Sequence, residues 1–234
     1  MRRLEYWVIS MNKEQLLQSY NNVKEEISRL DKDGRVTLLL ATKMQSTEDI
    51  NFLIEKGALV IGENKVNELL EKYEGYDKRA SLHFIGTLQS NKVKYIVDKV
   101  DLIHSVDKLS LLEEIDKRSG KIGKIMDVLL EVNSGEEENK GGILPCDVVD
   151  FYEKARSYPN VRIRGLMTMA PRCQTREEYL KYFGLTKKLF DEIFGNDENA
   201  ILSMGMSESY TYAIEAGANL VRVGSKIFGE RKYN

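Results

Sequence analysis

The stretch "LLLATKMQSTED", from Leu38 to Asp49, places a lysine at the end of an apolar run and just before a helix start. Side chains alternate between two faces of a strand, so Lys43 shares a face with small and apolar residues. Ser46, followed three residues later by an aspartate, predicts a helix N-terminus with a weak capping box. An inward lysine is a candidate Schiff-base amine, because burial favours the neutral nucleophile. The alternative is a lysine that merely solvates a loop.

Length and charge narrow the class of protein. The 234 residues suit one large α/β domain with a full core, and we expect residues 1–234 to form a single domain with residues 1–10 as a loose extension. A formal net charge of −2 gives no indication of nucleic-acid or anionic-membrane partners. No apolar run reaches the length of a membrane span.

Cysteine and histidine usage gives two further expectations. Cys146 and Cys173 form no CxxC pattern, which favours a reducing, cytoplasmic setting. His83 and His104 have no acidic or cysteine neighbours at metal-ligand spacing, so no metal site is predicted.

Short apolar or β-branched runs alternate along the chain with longer, charged, helix-periodic segments. The predicted strands lie near Val36–Thr42, Leu59–Gly62, Leu82–Ile85, Leu102–Ser105, Met126–Val132, Ile163–Met167, Ile201–Met204 and Leu220–Val223. The predicted helical segments are Thr47–Lys56, Lys65–Tyr73, Asn91–Asp98, Lys108–Arg118, Pro145–Tyr158, Arg176–Phe194 and Ser209–Ala216. Such a series is typical of a (β/α)8 TIM barrel, here with an extra N-terminal helix. An open doubly wound sheet usually has fewer strands and a glycine-rich first turn, which "TKMQSTED" is not.

In such a barrel the residues that follow each strand meet at one end. The loops after the seventh and eighth strands read "SMGMSES" and "RVGSKIFG". They offer backbone N–H groups and hydroxyls at Gly205, Ser207, Gly224 and Ser225. Barrels often hold a phosphate at this pair of loops. Glycine and serine also make ordinary turns, and the residues alone leave both interpretations open.

Arg222 points into the barrel if the last strand alternates from Leu220. A buried guanidinium needs acceptors, so it forms either a structural salt bridge or a ligand contact. Taken with Lys43 and a phosphate site, it indicates pyridoxal 5′-phosphate (PLP), with Arg222 against the pyridine nitrogen. Because arginine only donates, that nitrogen stays unprotonated and the ring is a weak electron sink, which favours modest carbanion chemistry or none.

Many segments, in one order, resemble the YggS/PROSC family of PLP homeostasis proteins, which is similar to the barrel domain of bacterial alanine racemase. The resemblance runs from about Leu38 to Gly229. Its segments are "ATK" (Ala41–Lys43), "GENKVNE" (Gly62–Glu68), "HFIGTLQSNK" (His83–Lys92), "IHSVD" (Ile103–Asp107), "EVN" with "KGG" (Glu131–Gly142), "GLMTM" (Gly165–Met169), "LSMGMS" (Leu202–Ser207) and "VRVGSKIFGER" (Val221–Arg231). The resemblance implies an alanine-racemase-like barrel (PLP fold type III) that lacks the racemase's C-terminal β domain.

The resemblance also implies roles for individual residues. Lys43 is the lysine that holds PLP as an aldimine, and Arg222 is the partner of the pyridine nitrogen. By the same resemblance, the phosphate is held by Ser207, Gly224 and Ser225, and the cofactor pocket is lined by Asn64. Two positions depart from the family pattern: Thr87 replaces a common histidine, and Ser209 stands where an acidic residue is usual. Ser209 still suits a helix N-terminus, so we expect PLP binding to persist.

Three functions from different classes fit these residues. The first is intracellular PLP (vitamin B6) homeostasis, in which the protein buffers PLP or hands it to PLP-requiring apo-enzymes with little or no turnover. The second is a PLP-dependent racemase-type enzyme on small amino acids, and the third is a cofactor-free aldolase-like barrel that uses Lys43. Alanine racemase takes its second base from its C-terminal β domain across a dimer. Since no such domain is expected here, we expect the first function, in a monomer.

Overall fold

The computed structural model describes residues 12–195 and 197–229. Within them, eight parallel strands form a closed barrel, in which each strand pairs with the next and the last pairs with the first. The strands are β1 Thr37–Ala41, β2 Val60–Glu63, β3 Ser81–Phe84, β4 Leu102–Val106, β5 Met126–Val132, β6 Val161–Thr168, β7 Ile201–Ser203 and β8 Leu220–Val223. The predicted barrel and its eight predicted strands are therefore confirmed. The predicted extension at residues 1–10 lies outside the described residues, and the single domain over residues 1–234 stays a prediction.

One helix precedes the first strand, and the later helices pack around the barrel. The helices are α1 Lys13–Leu30, α2 Thr47–Glu55, α3 Val66–Lys72, α4 Leu109–Lys121, α5 Val148–Ala155, α6 Arg176–Phe194, α7 Tyr210–Glu215 and α8 Ser225–Phe228. Ser46 caps α2 as predicted, because its Oγ accepts from the Asp49 N–H at 3.1 Å. The full capping box does not form, since the Asp49 carboxylate accepts from the Ser46 hydroxyl and not from its backbone N–H. In the described part of the chain, no helix is long and apolar enough to cross a membrane.

Two predicted helical segments have a different geometry. The segment predicted at Asn91–Asp98 is a 3-10 helix over Ser90–Tyr95 whose first turn has no side-chain cap. The segment predicted at Pro145–Tyr158 begins with a 3-10 turn at Pro145–Asp147, and only Val148–Ala155 is α-helical. Short, uncapped segments commonly tighten to i→i+3 hydrogen bonds.

The register of the strands decides which side chains enter the barrel. Leu39 of β1 lies opposite Arg222 of β8, so both side chains point the same way, as predicted for Arg222. Leu39 packs with Ile85 and Leu220 in a small buried apolar cluster. Burial of such a cluster removes apolar surface from water and gives the polar end of the barrel a rigid base.

The chain turns earlier after β1 than predicted. The strand ends at Ala41 rather than Thr42, and Lys43 lies in the following turn. Met44 has a φ of 63°, in the left-handed region that a residue with a side chain seldom adopts. The position of Lys43 is therefore set by this turn and not by strand alternation, which corrects the prediction.

Candidate functional site

One cavity opens at the carboxyl end of the barrel, with a volume of about 660 Å³. It collects residues from the ends of β1, β2, β7 and β8, which are far apart in sequence. All six predicted site residues line it: Lys43, Asn64, Ser207, Arg222, Gly224 and Ser225. The volume and the mixed polar and apolar lining are typical of a small-molecule site.

Arg222 is buried at the wall of this cavity, with 4% of its surface exposed. Its Nη1 donates to the carbonyl of Ser203 at 2.9 Å and to the hydroxyl of Ser203 at 2.5 Å, and its Nη2 donates to the carbonyl of Thr168 at 3.0 Å. No carboxylate of the described residues forms a salt bridge with it. Burial lowers the pKa of Arg222 to about 10, so the guanidinium stays charged at neutral pH. The geometry therefore disfavours the structural salt bridge.

A buried hydrogen-bond chain leads from Arg222 into the barrel. The Ser203 hydroxyl lies 3.1 Å from His104 Nδ1, and His104 Nε2 lies 3.0 Å from His83 Nδ1. Burial lowers the pKa of His83 to about 4, and burial with the nearby charge of Arg222 lowers the pKa of His104 well below its usual value. Both rings are therefore neutral at physiological pH, and they support Arg222 through Ser203 without adding charge.

The two predicted phosphate loops contact each other directly. The hydroxyl oxygen of Ser207 accepts from the backbone N–H of Gly224 at 3.2 Å and from that of Lys226 at 3.3 Å. Gly224 approaches the end of β1 so closely that a Cβ there would lie 2.9 Å from the Ala41 carbonyl oxygen. The Ser207 hydroxyl keeps its proton available to the cavity, where exposed Ser225 adds a second hydroxyl.

Helix α1 supports these loops from outside the barrel. Glu26 accepts from Lys226 Nζ at 2.8 Å and from the hydroxyl of Tyr210, and Lys226 also contacts that hydroxyl at 2.9 Å. Tyr210 is the first residue of α7 and Lys226 lies in α8, so one α1 carboxylate joins the helices that follow both loops. The extra N-terminal helix therefore helps to fix the end of the barrel that carries the cavity.

Lys43 is half-buried at the cavity wall. Among the described residues, none accepts a hydrogen bond from its Nζ or forms a salt bridge with it. A second amine, that of Lys140, also lines the cavity, but Lys140 is exposed and pairs with Glu137 at 2.5 Å. Lys43 is thus the amine that the described residues leave available for a ligand.

Sequence reasoning missed several groups around the cavity. Thr168 lines it and gives its carbonyl to Arg222. Buried Glu131 lies outside the cavity lining, and none of the described residues forms a hydrogen bond with its side chain. Burial, with the nearby charge of Asp107, raises its pKa to about 7. Lys140 belongs to the quoted "KGG" segment, and that segment was the available signal for it.

The two departures from the family pattern lie in different places. Thr87 is exposed and does not line the cavity. Ser209 does line it and directly precedes α7, as expected for a helix N-terminus. Its hydroxyl makes no capping bond to the helix, because it accepts instead from the Met206 N–H at 3.2 Å.

The structure is thus a closed parallel barrel with an inward arginine and with a lysine in the turn after its first strand. The family model for the alanine racemase N-terminal domain matches residues 19–232. A solved alanine racemase from Clostridium difficile 630 has the same fold, with a TM-score of 0.78 at 15% identity over 94% of this chain and 58% of that chain.

Two more similar proteins narrow the family. The pyridoxal phosphate homeostasis protein of Aquifex aeolicus (strain VF5) is 44% identical over 199 residues, which cover 84% of this chain and 87% of that protein. PipY of Synechococcus elongatus PCC7942, solved with PLP bound, is 28% identical, with a TM-score of 0.78 over 92% of this chain and 100% of that chain. The chain therefore belongs to the family of pyridoxal phosphate homeostasis proteins.

Proposed function

We propose that this protein binds PLP in the cavity at the carboxyl end of the barrel. The observation that carries the proposal is that three kinds of group line one cavity: an amine that no described residue pairs, a buried guanidinium and two hydroxyl-bearing loops. These groups fit the aldehyde, pyridine nitrogen and phosphate of PLP in kind. The PLP-bound structure of the related PipY supports the same conclusion.

Each of the six residues has a proposed role. Lys43 would supply the amine, which would condense with the aldehyde carbon of bound PLP and release water. Arg222 directs a donor toward the pyridine nitrogen and so keeps that nitrogen unprotonated. The phosphate is held by Ser207, Gly224 and Ser225, and Asn64 forms part of the wall.

We propose further that the protein serves PLP homeostasis with little or no catalytic turnover. Relatives named pyridoxal phosphate homeostasis proteins support this function. The donor-only Arg222 supports weak turnover, because it does not stabilise a protonated pyridine ring. We also propose that the protein is a cytoplasmic monomer that hands PLP to apo-enzymes. Two free cysteines are in keeping with a reducing compartment.

Spectroscopic titration tests the binding proposal. The full-length protein, Lys43→Ala and Lys140→Ala are each titrated with PLP and followed in the visible range. We expect a saturable band in the wild type and in Lys140→Ala, and its loss in Lys43→Ala. Lys140→Ala is the matched control, because both lysines line the same cavity. If the band persists in Lys43→Ala and disappears in Lys140→Ala, the reacting amine is that of Lys140, and the proposed role of Lys43 is wrong.

Two assays separate homeostasis from catalysis. In the first, loaded protein is incubated with L-alanine in D2O, and exchange of the α-proton is followed by NMR; we expect no more exchange than with free PLP. In the second, loaded protein is mixed with an apo-aminotransferase; we expect activity to return, but not when PLP has first been fixed by borohydride. Fast, enantiomer-converting exchange would instead support the racemase-type alternative.

A further inference from the structure

A buried polar cluster lies behind the turn that carries Lys43, on the side away from the cavity. Its centre is Glu63, the last residue of β2, which is fully buried. Glu63 Oε1 accepts from the hydroxyl of Thr42 at 2.7 Å, from the ammonium of Lys72 at 3.0 Å and from the hydroxyl of Tyr76 at 2.6 Å. Such a concentration of charge away from water is costly unless its geometry is well fixed.

The cluster continues to the backbone on both sides of Lys43. Lys72 donates to the Thr42 carbonyl at 3.1 Å and to Glu68 at 2.7 Å, and Glu68 in turn accepts from the backbone N–H of Met44. The Thr42 carbonyl belongs to the peptide group before Lys43, and the Met44 N–H belongs to the peptide group after it. Both peptide groups that flank Lys43 are therefore held by one ion pair of helix α3.

This anchoring explains an unfavourable backbone conformation. Met44 has a φ of 63°, which a residue with a Cβ adopts only when its surroundings compensate. The Glu68 carboxylate provides a compensating hydrogen bond from outside the turn, and Lys72 holds that carboxylate in place in a partly buried site. The turn is also closed by the bond from the Gln45 N–H to the Thr42 carbonyl at 3.0 Å. Without Glu68 it keeps that bond but loses the one at Met44, so we expect the φ of Met44 and the direction of the Lys43 side chain to shift.

We propose that Glu68 and Lys72 are positioning residues that aim the Lys43 amine into the cavity. The inference rests on the proposed function of Lys43 and extends it to residues that do not line the cavity. Glu63 completes the anchor by accepting from both Lys72 and Thr42, and Tyr76 donates to the same oxygen of Glu63.

The test compares how fast Lys43 reacts in variants of the full chain. PLP is mixed with wild type, Glu68→Ala and Glu68→Gln in a stopped-flow instrument, and the visible band is followed in time. Glu114→Ala is the matched control, because Glu114 and Arg118 also form an i,i+4 pair, at 2.6 Å, but on α4 and away from the cavity. Unfolding temperatures and competition by inorganic phosphate are measured for every variant.

We expect Glu68→Ala to form the band about tenfold more slowly or worse, since misplacement of a reacting group costs rate steeply. Glu68→Gln keeps an oxygen that can accept from the Met44 N–H, so we expect an intermediate rate. Glu114→Ala should match wild type. Competition by inorganic phosphate should be the same in all four proteins, because Glu68 does not touch the phosphate loops.

The possible results are distinguishable. If wild type forms no band, the proposed function fails and the inference with it. If wild type reacts but both Glu68 variants react at its rate, PLP binding stands and the positioning role is wrong. If Glu68→Ala does not fold, the rate of Glu68→Gln is compared with wild type instead, and an equal rate shows that the positioning role is wrong. The inference would also be overturned if Glu68→Ala reacts more slowly only because it is less stable. In that case Glu114→Ala would be slowed as much whenever its unfolding temperature is lowered as much.

Discussion

Removal of the Ser203 hydroxyl is a sharp test of how Arg222 is supported. Ser203 is fully buried, and its hydroxyl joins Arg222 Nη1 at 2.5 Å to His104 Nδ1 at 3.1 Å. In Ser203→Ala the nitrogen of His104 loses its partner, while Arg222 keeps the Ser203 carbonyl at 2.9 Å. The variant therefore leaves a buried polar group unpaired without removing the charge.

The expected loss of stability follows from that unpaired group. Leaving a buried donor or acceptor unsatisfied costs about 1–3 kcal/mol. For a chain of this size, 1 kcal/mol corresponds to a shift of about 2–4 °C in the unfolding temperature. We therefore expect Ser203→Ala to lose about 2 kcal/mol, or about 4–8 °C, in urea and thermal unfolding at pH 7.5 without PLP.

The matched control is Ser119→Ala. Ser119 is equally buried, on α4, but its hydroxyl has no hydrogen-bond partner in the described part of the chain. Removing it should leave stability unchanged or slightly higher, since alanine favours the helix. If Ser203→Ala loses no more stability than Ser119→Ala, the hydrogen-bond chain from Arg222 to the histidines does not stabilise the barrel interior.

Three further predictions concern pH and glycine. Burial raises the pKa of Glu131 from 4.5 to about 7. The stability that its protonated form contributes is therefore lost as pH rises through about 7. We expect Glu131→Gln, measured by urea titration, to raise the free energy of unfolding more at pH 8 than at pH 5. Burial lowers the pKa of His83 from 6.5 to about 4, so the folded state loses stability as pH falls through that window. In His83→Gln, the free energy of unfolding measured by urea titration should decrease less between pH 7 and pH 4 than in wild type. Gly205 has a φ of 84°, and a Cβ there would lie 2.6 Å from the Ala213 side chain. Gly205→Ala should therefore lower both the unfolding temperature and the affinity for PLP. Gly184→Ala should lower neither, because a Cβ at that position meets nothing within 4 Å.

The barrel was predictable because its signal is local. Each strand is a short apolar run, and eight such runs with helices between them leave few alternatives to a closed barrel. The candidate site was predictable for the same reason, since the residues that follow parallel strands meet at one end. Lys43 and the serine loops follow β1, β7 and β8 and therefore line one cavity, and Arg222 reaches the same cavity from within β8.

The remaining features depend on contacts that no local pattern encodes. The left-handed conformation of Met44 is supported by Glu68, 24 residues later, which accepts from its N–H, as well as by the local bond from the Gln45 N–H to the Thr42 carbonyl at 3.0 Å. The contact between Ser203 and His104 spans 99 residues and depends on the register of the strands. Segment 90–95 has helical periodicity, but nothing in its sequence distinguishes a 3-10 helix from an α-helix.

The central claim is that Lys43 is the residue that holds PLP. The most direct measurement is to incubate the wild-type protein with PLP, reduce it with borohydride, digest it, and locate the pyridoxyl group by peptide mass spectrometry. We expect one modified lysine per chain, at Lys43. A pyridoxyl group on Lys140 instead, or labelling spread over surface lysines, would contradict it.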